Sequence, residues 1–200
     1  MTASALTSRH DSLLFDHAAG NLSAAASFVV DAHLALSPAA RQAGAILETA
    51  GAVLLEELPP VSLKVPAWLS DGGPAPAALA VADPMENLLA SLDHGAWRWT
   101  LPGMLIKPVG NTGARLLKIE AGRKVPEHGH RGLELTLVLA GELEDATGRY
   151  GRGDLCVHDE ETEHMPGAVA GAGNCICLIA ESAPVRLKGP LGWVVNPFLS

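Results

Sequence analysis

The sequence predicts an α+β protein in which a small helical domain precedes an all-β domain. Over the first ninety residues, apolar side chains recur at helical spacing, whereas from about Trp97 apolar and polar residues alternate with a period of two. Six or more short strand-like runs, separated by turn signals, fill the second half, and this pattern is typical of a sandwich or barrel. We therefore expect a helical domain over residues 1–92 and a β domain over residues 93–200.

Three helices are predicted first. Arg9–Ala19 forms the first, with Gly20 after it as a stop signal, and Ser23 caps a second helix that runs through Leu36. Ser37 followed by Pro38 is typical of a helix start, because the serine accepts a hydrogen bond and the proline fixes φ in the first turn. This third helix runs to about Leu58.

A Pro-, Gly- and Ala-rich segment over residues 59–82 is interpreted as a linker that packs in part. Asp83 with Pro84 then predicts another cap, followed by a short helix to about Leu92. The strand-like runs of the second half end with "LGWVVNPF".

Composition narrows the classes of function. With 48% hydrophobic residues the chain can bury a substantial core. The formal net charge is −8, and residues 1–100 hold four basic and ten acidic residues. This sign argues against a nucleic acid ligand and suits a basic protein partner.

Localisation is predicted from what the sequence lacks. No long apolar stretch behind a basic start indicates a signal peptide, and no segment has the roughly 20 apolar residues of a membrane span. Cys156, Cys175 and Cys177 do not make a paired disulfide framework. We expect a cytoplasmic protein with no membrane partner.

The segment "VPEHGHRGLELTLVLAGE" carries the strongest candidate site. In a continuous strand the even separations of His128, His130 and Glu134 place all three on one face, while Leu133, Leu135, Leu137 and Leu139 line the other. Both faces are then largely buried, as in a barrel wall packed on a second layer.

Two imidazoles and a carboxylate aimed into a small barrel make a first-row metal site that lacks one ligand. His164, at the end of "GDLCVHDEETEH", is the expected fourth. The alternative is a pair of exposed turn histidines beside a glutamate that aids solubility. Glu163 is expected to point away from the metal by alternation.

The spacing Gly122-x5-His128-x-His130-x3-Glu134-x6-Gly141 resembles the first cupin motif at every defined position. The second motif is similar in spacing from Gly153 to His164. Its usual proline, glycine and asparagine are replaced here by other residues, namely Asp159, Glu161 and Ala168. The resemblance implies that the β domain is a cupin, an all-β jelly-roll barrel.

The stretches "HGHRGLELTLVLAGE", "EHMP" and "CICL" resemble the cupin domain of ChrR-type anti-sigma factors, and "HAAGNLSAAASFVVDAHLALSPAARQAGA" resembles their helical domain. The resemblance implies that the chain sequesters an extracytoplasmic-function sigma factor through its helices. It further implies that the cupin tunes release under oxidative stress and holds zinc through His128, His130, Glu134 and His164. A homodimer is also an expectation from the family.

The helical half departs from the family pattern. Family members bind zinc there through an early histidine and a His-x3-Cys-x2-Cys motif; His10 and His33 keep the histidines, but Ser37 and Ala40 replace both cysteines. Two histidines alone cannot complete a four-coordinate zinc site. We therefore predict one divalent metal per chain, held in the cupin, and none in the helices. His17 is the alternative third nitrogen, although a surface role fits it better.

An enzyme is the alternative class of function. The same histidines and glutamate hold iron, manganese or nickel in catalytic cupins such as dioxygenases and isomerases. No inward arginine that grips a substrate is evident, since Arg123, Lys124 and Arg131 flank the motif, at positions that are compatible with its rim. A stand-alone cupin sensor with a vestigial helical cap is a third alternative.

Several other residues have two interpretations. Cys175 and Cys177 share one face of a predicted strand, as oxidation targets near the metal or as small buried apolar residues. Cys156 is expected in the core. His158 is either a residue behind the metal ligands or a solvated turn residue. Trp97 and Trp99 are expected to pack at the barrel edge.

Overall fold

The computed structural model describes residues 3–59, 61–62, 88, 95–183 and 186–187. Within these ranges three helices come first, α1 (Ala3–Ala18), α2 (Ala24–Leu36) and α3 (Pro38–Glu56). The first helix begins six residues earlier than the predicted Arg9, because nothing in "ASALTS" breaks a helix once it has been nucleated. None of the helices in these ranges is long and apolar enough to cross a membrane.

Both predicted serine caps are confirmed. Oγ of Ser23 accepts a hydrogen bond from the backbone N–H of Ala26 at 3.3 Å. Oγ of Ser37 accepts one from Ala40 at 3.4 Å, with Pro38 in the first turn of α3. Ser37 and Pro38 thus make an ordinary helix start between α2 and α3.

Twelve strands follow within the described residues, and all their pairings are antiparallel. The main sheet has six strands in the order β1-β2-β3-β11-β5-β8, which are Arg98–Leu101, Met104–Pro108, Arg115–Ile119, Cys175–Glu181, Glu134–Ala140 and Leu155–His158. A three-stranded sheet has the order β10-β6-β7, which are Gly167–Ala168, Leu143–Asp145 and Gly148–Tyr150. Another has the order β12-β4-β9, which are Arg186–Leu187, His128–Gly129 and Glu163–His164.

The helices form a layer on the outer face of the main sheet. Val29 and Val30 of α2 belong to one buried cluster with Leu135, Leu137 and Leu178 of β5 and β11. Leu133 and Leu139 pack against the same cluster, so the predicted leucine face of β5 does lie against a second layer. Each such leucine stabilises the fold by roughly 1.5–3 kcal/mol through the apolar area that it removes from water.

The inner face of the main sheet forms a second core. Val138, Cys175 and Cys177 are fully buried there beside Met104 and Ile119. Cys156 is buried in the same cluster, as expected from the sequence. The core between the helices and the main sheet and the core inside the barrel are thus two separate apolar layers, on opposite faces of β5 and β11.

The prediction of one continuous strand through the histidine motif is wrong. Strand β4 ends at Gly129 and β5 begins at Glu134, with a bend at Arg131 and Gly132 between them. At this bend the chain crosses from one sheet to another. Gly132 lies close to Ser182 at this bend: a Cβ here would lie only 2.3 Å from Oγ of Ser182, so a larger residue would displace that hydroxyl.

Gly141, which closes the motif, has a structural role of its own. Its φ is +70°, and a Cβ there would lie 2.5 Å from the carbonyl oxygen of Asn174. Only glycine fits both the left-handed backbone and this close approach. The turn places the start of β6 next to the end of β5.

Some predictions fall on other parts of the chain. Nearly all of the linker, the helix predicted after Asp83 and the terminal "LGWVVNPF" lie outside the described residues; Leu88, in that predicted helix, is helical and buried. Trp97 packs against the outer core as expected, whereas Trp99 on the edge strand β1 is largely exposed. The domain boundary at 92/93 stays a prediction.

Candidate metal centre

Four predicted residues converge at one end of the barrel, and we call them the histidine–glutamate cluster: His128, His130, Glu134 and His164. His128 in β4 pairs directly with His164 in β9, and His130 follows β4 at the bend. Glu134 is the first residue of β5 in the main sheet, so two different sheets contribute residues to the cluster. All four are buried, which excludes the alternative of exposed turn histidines. Glu163, by contrast, is exposed, as the alternation predicts.

The geometry of the histidine–glutamate cluster suits a single cation. Nε2 of His164 lies 3.0 Å from Nε2 of His128 and 3.0 Å from Nε2 of His130. Oε1 of Glu134 lies 3.9 Å from the same nitrogen of His164. Ligand atoms around a tetrahedral zinc ion are separated by about 3.3 Å, given Zn–N distances of about 2.0–2.1 Å. One ligand atom from each of the four residues falls within 4.8 Å of the others.

Hydrogen bonds of the outer ring nitrogens determine which nitrogen of each imidazole keeps a lone pair for a metal ion. Nδ1 of His128 is 2.9 Å from the carbonyl oxygen of Pro126. Because a carbonyl only accepts, Nδ1 carries the proton and Nε2 faces the cluster as an acceptor. Nδ1 of His164 donates in the same way to Oδ2 of Asp145 at 3.2 Å. Both rings are thus oriented for binding a cation through Nε2.

Asp145, at the end of β6, is a functional residue that the sequence analysis did not identify. Its Oδ1 accepts from the backbone N–H of Thr147 at 2.7 Å and holds the β6–β7 turn, while Oδ2 faces the histidines. The letters "EDATG" indicate only a turn, and nothing in the spacing signals that one carboxylate oxygen would point inwards.

His158 lies behind the histidine–glutamate cluster, and its interpretation as a solvated turn residue is wrong. It is buried in β8, directly opposite Glu134. Its ring centroid is 4.1 Å from that of His164 and 5.9 Å from that of His130. Nε2 lies 3.4 Å from Oδ2 of Asp145, and Nδ1 lies 3.7 Å from Oε1 of Glu134, which is too long for a hydrogen bond.

The charges of these groups are interdependent. Burial disfavours the charge on His158, but Asp145 and Glu134 outweigh it and raise the pKa of His158 to about 9. Burial also opposes ionisation of Glu134, yet His158 and the nearby imidazoles lower the pKa of Glu134 to about 2. Burial is the main reason why the pKa of His130 falls to about 4. At neutral pH the cluster therefore presents neutral His130 and an ionised carboxylate, as metal binding requires.

The histidines of the helical half bind other partners. Nδ1 of His33 donates to the carbonyl oxygen of Gly153 at 2.9 Å, and Nε2 of His10 donates to that of Leu155 at 2.7 Å. His17 contacts Oδ1 of Asp31 at 2.9 Å. The groups of potential metal ligands found in the described residues lie in the barrel. The absence of a helical zinc site stays a prediction.

Cys175 and Cys177 lie on the inner face of β11, with their Sγ atoms 3.5 Å apart. Both are buried, as is Cys156. Their packing in the inner core agrees with small apolar side chains. Their oxidation stays a prediction.

Comparison with known proteins identifies the family. Residues 85–183 match the ChrR cupin-like domain. Over 96% of its length the chain is 42% identical to the anti-sigma-E factor ChrR of Cereibacter sphaeroides, and the alignment covers 99% of that protein. The chain belongs to the ChrR family of anti-sigma factors. The fold predicted from sequence, helices followed by a cupin, is thereby confirmed.

A solved structure of a ChrR protein supports the same assignment. The crystal structure of Rhodobacter sphaeroides SigE in complex with the anti-sigma ChrR contains a chain that is 42% identical to this one. The TM-score is 0.72, and the match covers 86% of this chain and 96% of that one. The similarity to the ChrR family therefore includes the helical half.

Proposed function

We propose that this protein is an anti-sigma factor that binds an extracytoplasmic-function sigma factor through its helical half. The observation that carries the proposal is 42% identity along nearly the whole chain to ChrR, a family member whose crystal structure holds the sigma factor SigE. An enzyme would need only the barrel to be similar, whereas here the helices match as well.

The surface of α3 supports a protein partner. Ile46, Val53 and Leu54 are exposed on one side of this helix, whereas Leu55 is exposed on the opposite side. Glu56 and Glu57 are exposed at the C-terminal end of α3, so this apolar surface has acidic residues at one edge. Apolar patches bordered by charge are typical of interaction sites, and the acidic sign steers a basic partner towards the helix.

The barrel is proposed to hold one divalent cation in the histidine–glutamate cluster. Three imidazoles and one carboxylate at these separations favour zinc, and iron, manganese and nickel are accepted by the same donor types. A bound cation would cross-link β4, β5 and β9, and it would act as a Lewis acid toward any group that reaches it. His128, His130, Glu134 and His164 would supply the donor atoms, while Asp145 orients the ring of His164.

The regulatory role belongs to the same proposal. The cupin would tune release of the sigma factor under oxidative stress, and the complex would act in the cytoplasm, where sigma factors meet RNA polymerase. The contact of α1 and α2 with the outer face of the main sheet provides a physical connection between the barrel and the helices.

Isothermal titration of the full chain with its cognate sigma factor tests the proposal. We expect a one-to-one complex that is weakened at least tenfold by Ile46→Glu with Val53→Glu. The matched control is Ala45→Glu with Ala52→Glu, which adds the same charge at exposed positions on another side of α3 and should bind normally. Absence of binding by the folded wild-type chain would contradict the proposal, and equal loss in both double variants would displace the site from this face.

A further inference from the structure

The barrel contains a cavity of about 570 Å³ beside the histidine–glutamate cluster, and this cavity is partly open to solvent. His128, Glu134 and His164 line it together with His158. Its volume lies within the range of small-molecule sites, which is roughly 300–1,000 Å³. The donor atoms of the proposed metal site thus border a space that is large enough for a ligand.

The cavity wall has two chemically distinct parts. Much of the wall is apolar and comes from the inner faces of several strands: Met104, Ile106, Leu117, Ile119, Leu143 and Ile179. Near Glu134 the wall is charged. Arg115 at the start of β3 and Glu181 at the end of β11 both line the cavity and form an ion pair.

Strand register explains why this charged part adjoins the metal site. Glu181 pairs directly with Glu134 across β11 and β5. Arg115 pairs with Ile179, two residues from Glu181 on the same strand face. The sequence analysis did not identify Arg115, because alternation alone did not show which face of β3 points inwards.

The balance of charge favours one negative group on a ligand. Arg115 is the only arginine or lysine of the described residues that lines the cavity, and Glu181 offsets its charge. His158 also lines the cavity, and Asp145 offsets its charge in the same way. A divalent cation with Glu134 would add one net positive charge at the adjoining end. A guanidinium has five N–H donors, so Arg115 can bind a second carboxylate without releasing Glu181. A dianion such as a phosphate monoester would bring more charge than these groups balance.

We propose that the cavity binds a small aliphatic monocarboxylate, with its carboxylate between Arg115 and the metal centre and its tail against the apolar wall. The inference rests on the proposed metal site and extends it to a ligand class. Binding requires no chemical step. It would occupy the barrel interior on the face of β5 and β11 opposite to the helices.

Calorimetric titration of the metal-loaded full chain with octanoate tests this inference. We expect saturable one-to-one binding of octanoate, and at least tenfold weaker binding of octan-1-ol and octylamine, which have the same tail. Octanoate should also raise Tm of the metal-loaded chain. If octanoate does not bind, or if octan-1-ol binds equally well, the assignment is wrong.

A variant pair separates the charged end from non-specific apolar binding. Arg115→Gln with Glu181→Gln removes both partners of the ion pair, so that no charge is left without its partner, and should weaken octanoate binding at least tenfold. Arg98→Gln on the exposed edge strand β1 is the control and should bind octanoate normally. If the double variant binds octanoate with unchanged affinity, Arg115 does not bind the carboxylate of the ligand.

Metal content and sigma-factor binding are measured on the same samples. A chain that carries metal and binds the sigma factor but not octanoate refutes only the ligand site. A chain that purifies without metal and cannot be loaded refutes the metal site, and octanoate binding is then lost with it. The two failures are therefore distinguishable.

Discussion

Asp145 and His164 form a carboxylate–imidazole pair in which Oδ2 lies 3.2 Å from Nδ1, on the side of the ring that faces away from His128 and His130. The pair leaves Nε2 of His164 as an acceptor at the centre of the histidine–glutamate cluster. Partners of this kind orient metal-bound imidazoles and increase their basicity.

Asp145→Asn should therefore lower metal affinity by about 10–100-fold while preserving the fold. Asparagine retains the oxygen that holds the β6–β7 turn but loses the negative charge opposite His164. Competition against a chromophoric chelator measures the affinity. Asp154→Asn is the control, because Asp154 also caps a turn, through a 2.8 Å bond to Gly151, without facing the cluster. Equal losses in both variants would assign the effect to turns in general.

The metal-free protein should be most stable near pH 6.5. The pKa of His158 rises from 6.5 to about 9 on folding, so its contribution is complete below pH 6.5 and disappears as pH rises towards 9. His130 has the opposite sign: its pKa falls from 6.5 to about 4, so stability is lost as pH decreases through that interval. Urea unfolding between pH 4 and 9.5 measures both limbs.

His158→Gln should flatten the alkaline limb, which is worth roughly 3 kcal/mol, and leave the acid limb in place. His17→Gln is the control, since His17 contacts Asp31 on the helical side, away from the barrel. If His158→Gln retains the full loss of stability above pH 6.5, the raised pKa of His158 is not its cause.

His10 and His33 should hold the helices on the barrel. Their bonds to the carbonyl oxygens of Leu155 and Gly153 cross between α1 or α2 and the region of β8. Replacing either with alanine leaves a carbonyl without its donor, at a cost of about 1–3 kcal/mol. Hydrogen exchange should accelerate in α1 and α2 of His10→Ala with His33→Ala, while β2 and β3 stay protected. Unchanged exchange in the helices would contradict this role.

One metal ion should be bound per chain. His128→Ala should lower the metal content, because three remaining donors bind the ion more weakly than four, whereas His10→Ala with His33→Ala should keep it. Elemental analysis of protein purified without added metal measures the ratio. A ratio of two, or metal that is lost on mutating the helical histidines, would show that the helices retain a site of their own.

The sequence predicted the fold class and the four cluster residues, because helical and strand periods differ and because the cupin spacing is specific. It did not predict that His128 and Glu134 lie in different sheets, since the chain after the bend is held by Ser182 of a distant segment, whose backbone N–H donates to the carbonyl oxygen of Leu133. The sequence analysis did not identify Asp145 and Arg115 for a similar reason. The inward direction of their side chains is set by how sheets close on each other, and a single strand or turn does not encode it.

The central claim is that this chain inhibits an extracytoplasmic-function sigma factor. In vitro transcription from a promoter of that sigma factor, with purified RNA polymerase and increasing amounts of the full chain, tests it most directly. Transcription should fall in proportion and stop at about one chain per sigma factor, while transcription by the housekeeping sigma factor continues. Undiminished transcription at a several-fold excess of folded, metal-loaded chain would contradict the account.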